Sequence, residues 1–175
     1  MMMQMLAAGG MPLLADGVRA SDSDNPRGYF EFEPVKRTKT DSSWVSEGVG
    51  KAVKMVTVLL RDLPPEFDYR VILMRRNPDE VLASQKAMLA RLGRTGATVS
   101  DAWLKELFKK ELDESLAWMT RQPNFRAMVA EHGLCIIEPR GTAELVKQFL
   151  QGNLNVDAMA SVVNRAFYRK RSAED

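Results

Sequence analysis

The chain has 175 residues, 45% of them apolar and 27% charged, which fits a single soluble globular domain long enough to bury a core. Formal net charge is only +2 and the basic residues are dispersed, so composition gives no case for nucleic-acid or membrane binding. The one cysteine, Cys135, excludes an internal disulfide framework and fits a reducing compartment. Cytoplasmic residence is the expectation: the apolar opening has no basic residue before Arg19 and is broken by Gly9, Gly10 and Pro12, unlike a secretory signal. No stretch approaches the roughly 20 apolar residues of a membrane span.

Met1 to Ala8 reads as the body of a helix without a start, because it lacks a cap residue and a polar first turn. Three successive methionines there suggest an internal start within a longer protein. Turn-formers and charges run from Gly9 to Ser43, with a short helix expected near Pro34 to Lys39. Ala52 to Leu60 is a strand or short helix, β-branching leaning towards strand at its beginning. Val71 to Met74 is a buried strand. Asn77 then caps a helix that has Pro78 at its first position and Glu80 at the capping-box position, closed by Gly93.

Asp101 to Arg121 is strongly amphipathic, with Trp103, Leu104, Leu107, Phe108, Leu112, Leu116 and Met119 at helical spacing. This stripe, together with Trp118, is core or the wall of a pocket. Leu134 to Glu138 reads as a third strand holding Cys135 as a small buried hydrophobe, with helices after it at Thr142 to Leu150 and Val156 to Phe167. Such alternation argues an α/β domain with a parallel sheet and crossover helices, spanning residues 1–175 as one unit.

Chemistry concentrates at Arg76-Asn77-Pro78-Asp79-Glu80-Val81-Leu82-Ala83-Ser84, where a strand runs into a helix. An anion there would meet backbone amides, the positive end of the helix dipole and a guanidinium fork. Ser84, eight residues on, is little more than two turns away, so Arg76 and Ser84 can converge on one phosphate. The plainer alternative pairs Arg76 with Asp79 or Glu80 and leaves Ser84 facing solvent. Arg75 competes for the anion role. No metal site is suggested, since one histidine and one cysteine offer no ligand spacing.

The string matches the R-x-P-x-x-V-x-x-S element of sulfotransferases, and the chain resembles the P-loop sulfotransferase superfamily, in particular its compact bacterial members. Asn25 to Glu31, Lys51 to Lys54, Arg76 to Gln85 and Ala166 to Arg169 fall in that family's order. The resemblance implies a P-loop NTPase-like fold and transfer of a sulfuryl group from 3′-phosphoadenosine-5′-phosphosulfate (PAPS) to a hydroxyl. Arg76 and Ser84 would hold the donor's 3′-phosphate. Glu31 corresponds to the catalytic base of the carboxylate-using branch, with Glu33 an equal candidate by spacing, and Lys54 to a lysine near the transferring group. Lys54 also reads as an ordinary edge-strand lysine. The basic tail Arg169-Lys170-Arg171 resembles a segment that reaches the 3′-phosphate, without its glycines and tryptophan. The acceptor is left open among carbohydrates, small metabolites, lipids and tyrosine.

The glycine-rich G-x-P-R-S-G-T-S loop that cradles the 5′-phosphosulfate is not in the sequence. The resemblance places its strand in the middle of the sheet, between the Val71 and Leu134 strands. Its loss predicts impaired transfer, marginal stability and self-association through unpaired edges. A non-catalytic remnant binding a phosphate, a nucleotide or a protein partner is the alternative. A P-loop kinase relative is a weaker one, against which the Arg76 to Ser84 string argues. His132, read as preceding the third strand, is placed at the sheet's far edge, away from the site.

Overall fold

The computed structural model describes residues 1–19, 28–91, 93 and 99–164. The expected motif residues Asn25, Pro26 and Arg27, the stretch Ala166 to Arg169 and the basic tail through Arg171 lie outside these residues.

The elements run in the order α1 (Met2–Ala8), β1 (Tyr69–Arg75), α2 (Pro78–Arg91), α3 (Asp101–Met119), β2 (Phe125–Glu131), α4 (His132–Ile137), α5 (Pro139–Leu150) and α6 (Val156–Ser161). Short 3-10 helices at Glu33–Arg37, Ser43–Gly48 and Thr57–Asp62 fill the long segment between α1 and β1. The domain is α/β. Its sheet, among the described residues, is the parallel pair β1 and β2, in register from Tyr69 opposite Phe125 to Arg75 opposite Glu131. Helices α2 and α3 make the crossover that a parallel connection requires.

The structure corrects three expectations. The run expected as a strand at Leu134 to Glu138 lies in helix α4 up to Ile137, with Glu138 just past its end; β2 lies just upstream. Cys135 and Ile136 point inward while Leu134 and Ile137 are exposed, a pattern that suits one helical turn placed after the strand has already been used. The segment 53–60 forms no strand: Leu13 and Ala52 share one isolated parallel bridge, then the chain turns into the Thr57–Asp62 helix. Third, no vacant slot separates the Val71 strand from its neighbour, because β1 and β2 hydrogen-bond directly to each other.

Three apolar clusters hold the domain. The first joins Met2, Met5 and Leu6 of α1 to Ala130, Cys135, Ala143, Val146 and Met159, so α1, α4, α5 and α6 share one core against β2. Helix α1 lacks a side-chain cap and depends on this packing. Gly9 closes it so tightly on α6 that an added Cβ would lie 2.6 Å from Met159 Cγ. The second cluster seats Trp44, Val45, Val35 and Leu14 under the irregular segment. The third packs Met119, Leu60 and Phe125 beneath β1, with the Tyr69 and Phe125 ring centroids 4.7 Å apart and Trp118 edge-on to Phe125. The α3 stripe is thus core only in its second half. Trp103 and Leu107 stay exposed beside Glu106 and Lys110.

Candidate anion site at the carboxyl ends of the parallel strands

Strand β1 ends at Arg75, Arg76 follows it, and the two arginines have different partners. Arg75 stands opposite Glu131 in the last register pair; its Nε donates to Glu131 Oε1 at 2.6 Å and its Nη2 meets the same oxygen. That bond holds the Arg75 guanidinium above its ordinary pKa, and Arg75 keeps 53% of its side chain exposed. Arg76, one residue on, has left the ladder. Its Nε donates to Glu80 Oε2 at 3.0 Å. Glu80 is 4% exposed and Arg76 29%, so the carboxylate is enclosed while the guanidinium reaches the surface.

The helix starts where Asn77 and Pro78 place it. Asn77 Oδ1 accepts from the Asp79 amide at 2.9 Å, and Pro78 opens the helix with a fixed φ and no amide hydrogen. Glu80, four residues beyond Arg76, takes its guanidinium. Asp79 pairs with Lys105, and Lys86 donates to Asp101 at 2.6 Å, so two ion pairs tie α2 to α3. Ser84 lies exposed on α2, one helical turn beyond Glu80.

His132 stands at the opposite place from the one expected of it. It opens α4 directly after β2, and β2 is the immediate neighbour of β1, so His132 lies at the same end of the sheet as Arg76. Burial pushes its pKa down to about 4, the Arg76 charge pushing further and Glu80 opposing. At neutral pH the ring is uncharged. The sequence signal for this placement is the Phe-Arg-Ala-Met-Val-Ala run after Pro123, which makes β2 and so delivers His132 to the strand end. Behind the site, the fully buried Cys135 has its thiol pKa raised by burial. It is a core residue, as expected, although in a helix.

Glu31 and Lys54 are brought together elsewhere. Lys54 Nζ lies 3.6 Å from Glu31 Oε1 and donates to the Tyr29 carbonyl at 3.0 Å. Arg19 Nη1 donates to the same Glu31 oxygen at 3.1 Å, with its guanidinium 3.4 Å above the Tyr29 ring. Lys36 approaches Glu31 Oε2 at 3.9 Å and pairs with Glu33, whose amide donates to Asp16 Oδ2 at 2.5 Å. Glu31 is 20% exposed under these cations. Phe30 beside it adopts φ 52°, a left-handed conformation that is rare for a bulky residue. No ion pair among the described residues connects this cluster to Arg76. Thus Glu31 and Lys54 meet each other, and Arg76 meets Glu80 and shares its end of the sheet with His132.

In comparisons with known proteins, the chain matches no family model, no curated protein and no solved structure. The strand ends thus bring together a partly exposed guanidinium at a helix start and an imidazole that is neutral at pH 7.

Proposed function

We propose that this chain is a sulfotransferase-family domain that recognises the 3′-phosphate of PAPS at Arg76 and the start of α2. The supporting observation is placement: Arg76, the arginine at R-x-P-x-x-V-x-x-S spacing, lies at the helix start with its Nε on Glu80, while Arg75, though more exposed at 53% against 29%, is turned across the sheet to Glu131. Ligands of parallel α/β sheets gather at such carboxyl ends. The residues fit a phosphate in part: guanidinium and helix dipole favour it, whereas Glu80 and the amide already used by Asn77 limit what remains. Ser84 would join Arg76 on the phosphate.

In the transfer reaction the acceptor oxygen bonds to sulfur as the bond from sulfur to the bridging phosphate oxygen breaks. The acceptor proton passes to a base, and adenosine 3′,5′-bisphosphate leaves. Glu31 is the proposed base, with Lys54 the cation beside the sulfuryl group; their 3.6 Å contact is compatible with neighbouring roles. Arg76 and Ser84 would address the 3′-phosphate half of the donor, and Glu31 and Lys54 its sulfuryl half; the sequence carries no G-x-P-R-S-G-T-S loop for the 5′-phosphosulfate.

A second reading, a non-catalytic phosphate or nucleotide binder, is favoured by the state of Glu31, both of whose oxygens face cations. Calorimetric titration separates binding from its absence. Adenosine 3′,5′-bisphosphate should bind at least about tenfold tighter than adenosine 5′-phosphate. Equal affinity for the two would overturn 3′-phosphate recognition. Sulfate transfer from labelled PAPS to a panel of hydroxyl acceptors then separates the two readings: transfer above the uncatalysed rate supports the enzyme, and binding without transfer supports the binder.

A further inference from the structure

An arginine that binds phosphate in a bidentate fork presents two parallel N–H groups, and its long side chain loses rotamer freedom when it does so. The cost falls if the guanidinium is already fixed. At the β1–α2 junction, Glu80 provides that fixation: its Oε2 accepts from Arg76 Nε at 3.0 Å. Glu80 is itself immobilised, because it lies in the first turn of a helix capped by Asn77 and is 4% exposed. The neighbouring charges are committed elsewhere, Asp79 to Lys105 and Glu131 to Arg75.

We infer that Glu80 is a positioning residue: it pins the Nε edge of Arg76 so that the two terminal nitrogens form the edge offered to a phosphate. This rests on the proposed recognition of the 3′-phosphate by Arg76. It also makes geometry and charge pull in opposite directions. A carboxylate beside the site repels an anion, so a purely electrostatic role predicts tighter binding whenever Glu80 is removed.

The test titrates adenosine 3′,5′-bisphosphate into the full chain as wild type, Glu80→Gln and Glu80→Ala. The amide keeps an acceptor for Nε without the charge; alanine removes both. Positioning predicts that Glu80→Gln binds within about threefold of wild type or tighter, while Glu80→Ala binds at least about tenfold weaker despite its lower negative charge. Unchanged or tighter binding by Glu80→Ala overturns the inference and leaves 3′-phosphate recognition standing. A wild type that does not bind overturns both. Should Glu80→Ala fail to fold, exchange of the Arg76 Nε hydrogen, monitored by NMR, decides. Slow exchange in wild type and Glu80→Gln is expected, and fast exchange in wild type contradicts a pinned guanidinium.

Discussion

The two charged clusters of this domain are built differently. At the strand ends, Arg75, Arg76, Glu80, Glu131 and His132 project from regular elements or their junctions, and the key carboxylate is enclosed. Around Glu31, the charges come from irregular segments, and Arg19, Lys36 and Lys54 extend partly exposed side chains over one acid. Enclosed pairs resist screening, and losing one partner strands a buried charge; exposed pairs contribute little. The strand-end cluster should therefore respond sharply to single substitutions, and the Glu31 cluster weakly in stability even where it matters for chemistry.

The largest effect is expected from Arg76→Ala, which leaves Glu80 enclosed without its cation. Loss of a buried partner costs about 3–5 kcal/mol, and the surface access of Arg76 brings the expectation to about 2–3 kcal/mol by urea denaturation. A loss below about 0.5 kcal/mol would place this pair in the same class as the exposed ones.

The next effect is a pH dependence centred on His132. Its folded pKa of about 4 lies below the ordinary 6.5, so between these values the unfolded chain binds the extra proton. Stability should therefore fall as pH drops from about 6.5 towards 4, with no contribution from this ring above that window. In His132→Gln the fall across that window should flatten. An unchanged profile in the variant would mean that the ring is not held neutral.

The smallest effects belong to the other cluster. Glu31→Gln and Lys54→Met should each change unfolding free energy by less than about 1 kcal/mol. If the cluster is catalytic, Glu31→Gln should lower sulfuryl transfer by about 100-fold or more while leaving binding of adenosine 3′,5′-bisphosphate intact. A stability loss comparable to that of Arg76→Ala would erase the contrast between the clusters.

Much of the α/β framework is legible in the sequence, and the reasons are local. β1, α2 and α3 announce themselves through a β-branched run, an Asn-Pro start with an acidic first turn, and a helical stripe. Arg76 paired with Glu80 is likewise readable as an alternative, since it needs only a four-residue spacing across the junction. The features that escape the sequence depend on long-range pairing. The six residues 132–137 suit either strand or helix, and only β2, already paired with β1, decides between them. A strand placed there moves His132 away from Arg76; the observed β2 brings the two to one end of the sheet. The run 53–60 has strand-like residues but, among the described residues, pairs with no strand; the isolated Leu13–Ala52 bridge ends just before it, and the chain goes on into the Thr57–Asp62 helix.

The central claim is that Arg76 reads a phosphate, and a cycle between protein and ligand tests it most directly. Wild type and Arg76→Lys are each titrated with adenosine 3′,5′-bisphosphate and with adenosine 5′-phosphate. Lysine keeps the charge and loses the fork, so the advantage of the 3′-phosphate should shrink by about tenfold in the variant while affinity for adenosine 5′-phosphate stays nearly constant. An equal loss for both ligands, or none for either, would contradict recognition of the 3′-phosphate by Arg76.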